Sequence, residues 1–388
     1  MTQTRAPLIM TLIVSLLAFF IINTPSIKII YRSELINVAA VCCLWGAGLY
    51  KLLVMSDGRM LFGKLRAWFI LLFASLWILL MLYGSLAPDS EASLRLFLQY
   101  AGVFGAVVGL LLFVTRSEEI RMFLLWQIVW AVLLAIVQLT VGIELDRAEN
   151  QHYLTLGVPL AAGLVSIFGY ILPAERVLAK IVLLAPAAVI TMGLATLFGR
   201  APILFSTGTI IVFWLMVIWK HGSLPKKIAQ LLLLLGTGVA VYLILKQNVS
   251  DYWLYRFEKL QNVGEESRMT IYRTAFEMIA RNPFGYGMNA SDAYIGIYPH
   301  NILLETMISG GIGSLLLLLG LIAMFVHVIG RSVKTRTYLI PCCMLATYLL
   351  LTWNVSFNLT GAYTPIGAIA ISIVAWELLQ REQGGKRA

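Results

Sequence analysis

At 388 residues, 60% hydrophobic and 12% charged, with a mean hydropathy of +0.86, the chain carries far less charge than the roughly 25% of a soluble domain, and it reads as an all-α polytopic membrane protein. Its net charge of +10 is dispersed through short gaps between apolar runs, which excludes a nucleic-acid-binding patch. The four cysteines form two adjacent pairs, Cys42-Cys43 and Cys342-Cys343, without metal-ligand spacing, so they are expected to be small buried hydrophobes.

A bilayer span needs about 20 mostly apolar residues. Runs of that kind predict twelve spans, at 7-23, 35-55, 67-86, 94-114, 121-142, 153-172, 181-198, 202-219, 228-246, 302-329, 338-354 and 362-380. The first follows Met1 to Ala6 with no small-residue cleavage pattern, so it is expected to stay as a span. Residues 1-388 are thus expected to form a single integral membrane domain with one large loop, 246-301. With the N-terminus placed inside, 18 of the 29 basic residues fall in inside gaps and ends. Positive charge concentrates in cytoplasmic loops, so both termini are expected in the cytoplasm and the long loop outside.

The first five spans are nearly free of ionisable residues at membrane depth and read as scaffold. Thr115-Arg116-Ser117-Glu118-Glu119 between two of them is a helix start. The outside gap at 143-152 is denser, with Glu144, Asp146, Arg147, Glu149, Asn150, Gln151 and His152. It reads as a solvated turn or as part of a binding surface. Arg200 stands at a break between two apolar runs, on the predicted outside, where boundary charge runs against the positive-inside trend; a charge so placed is a functional candidate.

The long loop carries the densest polar signal. Ser267-Arg268 opens a helical stretch in which Met269, Tyr272, Phe276 and Ile279 recur on one apolar face, expected to lie on the membrane or on the tops of the spans. Arg268 at the helix start adds its charge to free backbone N–H groups, which makes an anion site. Arg273 and Arg281 read either as ligand contacts or as solvated, headgroup-facing residues. Asn282-Pro283 stops the helix, and Gly285 and Gly287 supply a tight turn. His221 and His327 read as solvated or packed, which leaves His152 and His300 as outside histidines suited to proton transfer. Beyond His300-Asn301, the run Gly310-Gly311-Ile312-Gly313 lets the next span pack closely or kink.

Taken in order, Gly199-Arg200-Ala201, Ser267-Arg268 with Tyr272, Asn282-Pro283-Phe284-Gly285-Tyr286-Gly287, and Pro299-His300-Asn301 with Glu305 and Gly310 resemble the O-antigen ligase and polymerase superfamily. The resemblance implies a GT-C-like glycosyltransferase of the Gram-negative inner membrane, with about twelve spans and a large periplasmic loop. It implies a donor glycan on undecaprenyl pyrophosphate, with Arg200 and Arg268 on the pyrophosphate, and His300 as general base, or as the group that orients the acceptor hydroxyl, in an inverting transfer. Arg147 and Asn150 match more loosely a polar segment before the sixth span, and with Arg273 and Asn301 they are assigned to substrate binding. Tyr252, Trp253, Tyr286 and Tyr294 stack on sugar or form an interfacial belt. No Asp-rich metal motif is present, so neither cofactor nor metal is expected. The acceptor implied for a ligase is lipid A-core; one long loop and a chain ending soon after its last span favour that over a polymerase or a protein oligosaccharyltransferase. A lipid-linked glycan transporter is disfavoured, since no internal repeat is visible.

Overall fold

The computed structural model of the protein describes residues 5–30, 35–54, 63–86, 90–142, 153–174, 176–197, 200–221, 223–225, 227–228, 267–335 and 337–384. Every regular element among them is helical. They are α1 (Arg5–Ile30), α2 (Leu35–Val54), α3 (Lys64–Leu82), α4 (Ser90–Phe113), α5 (Ser117–Thr140), α6 (Tyr153–Ile171), α7 (Val177–Ala195), α8 (Arg200–His221), α9 (Ser267–Arg281), α10 (Ala290–Ile295), α11 (Ile302–Thr335), α12 (Leu339–Ser356) and α13 (Tyr363–Gly384), with 3-10 turns at Tyr83–Leu86 and Leu359–Gly361.

Ten of these helices, α2 to α8 and α11 to α13, are long and apolar enough to cross a bilayer, and α1 adds the apolar stretch Leu8–Thr24. Helices satisfy their backbone groups internally, which hydrocarbon requires of any lipid-exposed segment. The predicted span at 228-246 lies, but for its first residue, outside the described residues, as do Arg147, Asn150, His152 and the loop up to 266.

Three helices form the centre. Buried residues make up 94% of the apolar stretch of α13, 78% of that of α6 and 72% of that of α12, against 22% for α2 and α7, which face outward. Small residues allow the close approach: a Cβ on Gly163 of α6 would stand 2.2 Å from the Ala131 Cβ of α5. Between α1 and α5 a polar seam replaces apolar packing. The Asn23 and Gln127 amides exchange hydrogen bonds of 2.7 and 3.1 Å, and Trp126 and Trp130 donate to Ser15 and Ser26.

At the end of the bundle where α4 stops and α5 starts, two buried ion pairs join five helices. Arg66 donates from Nε to Glu377 at 3.2 Å and from Nη1 to the Leu111 carbonyl at 2.9 Å. The same carboxylate accepts the backbone N–H groups of Gly63 and Arg66. Lys51 pairs with Glu119, which also accepts the N–H groups of Thr115 and Arg116 at the predicted start of α5. Arg66 and Lys51, which the sequence counts among the basic residues of the inside gaps, thus serve as packing charges. Burial separates the cysteines too: Cys342 and Cys343 are in the core as expected, but Cys42 and Cys43 are exposed on the outward side of α2.

Removing one partner of a buried pair leaves an unpaired charge, which costs about 3–5 kcal/mol. Glu377→Ala is therefore expected to lower the thermal midpoint of the detergent-solubilised protein, and Arg66→Met with Glu377→Leu to lower it much less.

Candidate active site

The site is built where α12 ends. A helix leaves its last four carbonyls without intrahelical donors, and three of these, on consecutive residues, are met by side chains from elsewhere. Asn301 Nδ2 donates to the Asn354 carbonyl at 3.1 Å, Arg268 Nη1 to that of Val355 at 2.9 Å, and His300 Nδ1 to that of Ser356 at 3.3 Å. A carbonyl only accepts, so the proton of a neutral His300 sits on Nδ1 and the lone pair is on Nε2, which no described residue engages.

Asn301 has a second task. Its Oδ1 accepts the N–H groups of Leu303 and Leu304, each at 3.0 Å, which caps the start of α11. Both ends of the amide are therefore engaged with backbone. His300, one residue before, holds φ 53, a left-handed conformation uncommon outside glycine, and such strain persists where surrounding contacts fix it. Tyr298 supplies one of those contacts, its ring centroid 4.4 Å from the imidazole and close to edge-on.

Behind this, α11 is broken. Gly311 has φ 67 and ψ −168, so the helix runs as two pieces. The break frees the Ile308 carbonyl and the Ile312 N–H, and the segment after α9 takes up both. Tyr286 N–H donates to Ile308 at 2.8 Å, Gly287 N–H to Ser309 at 3.1 Å, and Ile312 N–H to Pro283 at 2.9 Å. Contact is so close that a Cβ on Gly311 would lie 2.3 Å from the Phe284 carbonyl oxygen. Gly285 sits at φ 94 in the strap, whose turn is held by the Asn282 side chain bonding both Phe284 N–H and the Gly285 carbonyl. The predicted turn and the predicted kink are thus one device.

α9 rests on this strap. Its inner face is Ala275 and Met278, packed with Ala290 and Ile308 and flanked by Ile279, Tyr286 and Leu304. Of the expected apolar face, Tyr272 and Ile279 are partly buried, and Met269 and Phe276 are exposed. The small Ala275 permits the close approach, which turns the helix away from its bulkier apolar residues. Arg268 at its head reaches α12; Arg273 and Arg281 point to the exposed side.

Arg200 heads α8 at the same end of the bundle. Pro202 of its first turn lies against Gly157 of α6, and Tyr348 of α12 bonds the carbonyl of the next residue, Val158. The structure thus brings Arg268, His300 and Asn301 together, sets the backbone of Arg200 at that end, and leaves Arg273 exposed. Sequence reasoning missed the three carbonyls of α12, and it gave Tyr298 and Glu305 no task.

The electrostatics follow from burial. Desolvation lowers the His300 pKa below the ordinary 6.5, the nearby Arg268 guanidinium lowers it further, and the Ser356 carbonyl opposes both without reversing them. Burial raises the Tyr298 phenol, the carboxyls of Glu305 and Asp292 add to that, and Arg268 opposes. Val355 is the one hydrogen-bond partner of the Arg268 guanidinium among the described residues, so its further N–H groups can meet an anion. A neutral imidazole beside a guanidinium that pairs with no carboxylate among the described residues can take a proton from a hydroxyl while an anionic leaving group is held.

Residues 185–319, about a third of the chain, match a family model described as O-antigen ligase. That stretch runs from within α7 to within α11 and carries Arg200, Arg268, His300 and Asn301. The match agrees with the resemblance carried by the motifs, and supports a transferase acting on lipid-linked glycans. No curated protein matches the chain.

The lowered pKa fixes a sign. Between the folded value and 6.5 the unfolded chain binds more protons, so His300 contributes stability above 6.5 that is lost as pH falls through the folded value. Histidine NMR is expected to show a midpoint below 6.5 that disappears in His300→Ala.

Proposed function

We propose that the chain is an O-antigen ligase that moves a glycan from undecaprenyl pyrophosphate to an outer-core sugar of lipid A-core, at the periplasmic face of the inner membrane, with both termini cytoplasmic. The observation that carries the reading is the meeting of Arg268 and His300, both within the family-matched stretch, on adjacent carbonyls at the end of α12.

In this reading the acceptor hydroxyl oxygen attacks the anomeric carbon from the face opposite the pyrophosphate. The new glycosidic bond forms as the bond from that carbon to the pyrophosphate oxygen breaks, which inverts configuration. His300 Nε2 takes the hydroxyl proton, and the imidazolium keeps its Nδ1–H on Ser356. The leaving pyrophosphate takes the electron pair. Arg268, joined by Arg200, offsets the charge that gathers there, most strongly in a site that is partly dry.

Arg147 and Asn150 are assigned to the donor glycan and Arg273 to an outer contact with substrate or headgroups. Asn301, whose amide is engaged at both ends, supports the site through its contacts with α11 and α12.

A strain lacking the protein tests the reading through its lipopolysaccharide bands. Rough lipopolysaccharide with accumulated polymeric lipid-linked glycan is expected, restored by wild type. His300→Ala, Arg268→Ala and Arg200→Ala are each expected to slow transfer by about a hundredfold or more. A core bearing a single repeat unit would assign a polymerase instead, and unchanged bands would remove the transferase reading.

With guanidinium groups holding the leaving charge, transfer by the purified protein is expected to survive excess chelator, measured with a synthetic lipid-linked donor. Loss of rate restored by a divalent ion would overturn that part.

A further inference from the structure

Glu305 lies in the first turn of α11, buried to 6% exposure among apolar residues. An ionisable group at such a place is costly to bury and needs a partner that fixes it. Its Oε2 accepts the Leu359 N–H at 2.9 Å, and its own N–H donates to the Asn301 carbonyl at 2.9 Å. Leu359 is itself buried and opens the 3-10 turn Leu359–Gly361, three residues beyond Ser356.

The hydrogen bonds of Asn301, His300 and Glu305 therefore span the same two pieces of chain. On one side stand residues 300, 301 and 305; on the other the backbone of 356, 354 and 359. The first two attach α11 to the end of α12, and the third attaches it to the turn that leads into α13, the most buried helix.

We propose that Glu305 is a positioning residue of the transfer reaction: it locks the start of α11 to the backbone just past α12, so that His300 keeps the left-handed backbone and the ring placement from which Nε2 meets the acceptor. The role in transfer rests on the ligase reading; the placement of His300 by Glu305 does not. The carboxyl oxygen acts as an acceptor for one buried N–H, and its charge is not what the site uses. A glutamine amide oxygen can accept the same bond, whereas alanine leaves the Leu359 N–H buried without a partner.

The test uses full-length protein in nanodiscs, a synthetic undecaprenyl-pyrophosphate-linked repeat unit as donor and purified lipid A-core as acceptor. Glu305→Ala is expected to lower kcat about tenfold or more with the donor KM little changed, since misplacement of a reacting group costs rate rather than binding. Glu305→Gln is expected to restore kcat to within about threefold of wild type. Leu359→Pro, which removes the donated N–H from the other side, is expected to reproduce the loss, with no further drop when combined with Glu305→Ala. Wild-type kcat in Glu305→Ala, a Gln variant as slow as the Ala variant, or an effect on KM alone would each overturn the proposal. If Glu305→Ala does not fold, Leu359→Pro decides: a folded Pro variant with wild-type kcat overturns it, and a slow one supports it.

His300 also reports without turnover. Its NMR midpoint is expected to move up toward 6.5 in Glu305→Ala, as the ring loosens into solvent, and to stay in Glu305→Gln; an unmoved midpoint in Glu305→Ala overturns the proposal. Wild-type protein that transfers nothing, with His300 behaving as expected in this titration, would sink the ligase reading and leave the positioning role standing.

Discussion

The last turn of α12 is the constraint on which the rest of the site depends. Its free carbonyls carry the negative end of the helix dipole, and they draw in a guanidinium, an imidazole N–H and an amide from chain 53 to 87 residues away. Among the described residues no carboxylate holds Arg268, a partner on which its charge would be spent. Held by a neutral carbonyl, it is oriented and still cationic. The same carbonyl end favours protonated histidine, yet desolvation is the larger effect at His300 and favours the neutral ring.

A second constraint keeps that turn supplied with partners. His300 and Asn301 open the short upper piece of α11, and that piece is separate because the helix breaks at Gly311. The break is stable because the strap from Pro283 to Gly287 absorbs the freed backbone groups. The strap in turn seats α9, whose first turn presents Arg268. The strap and the placement of the arginine are therefore linked, through main-chain pairing and a small apolar contact.

Much of this is legible in the sequence. Eleven of the twelve predicted spans meet an apolar helix, because hydrocarbon permits little else. The strap and the kink are legible because proline and glycine act locally. Other features are invisible for physical reasons. Arg66 and Glu377 are 311 residues apart, and nothing local tells a buried arginine from a solvated one in a basic gap. The packed face of α9 turns on Ala275, which a search for bulky apolar residues passes over in favour of Phe276. The carbonyls at 354 to 356 are visible least of all, since the polar motif residues give no hint of what they touch.

All twenty amino acids carry a backbone carbonyl, so the identities at 354, 355 and 356 can drift without altering the frame that His300, Arg268 and Asn301 use. What this frame does not tolerate is a change in register. One residue added to or lost from α12 would rotate its last turn by about 100° and carry the three oxygens off their donors. The information that specifies this half of the site is held in the length of a helix, and comparison by substitution alone reads past it.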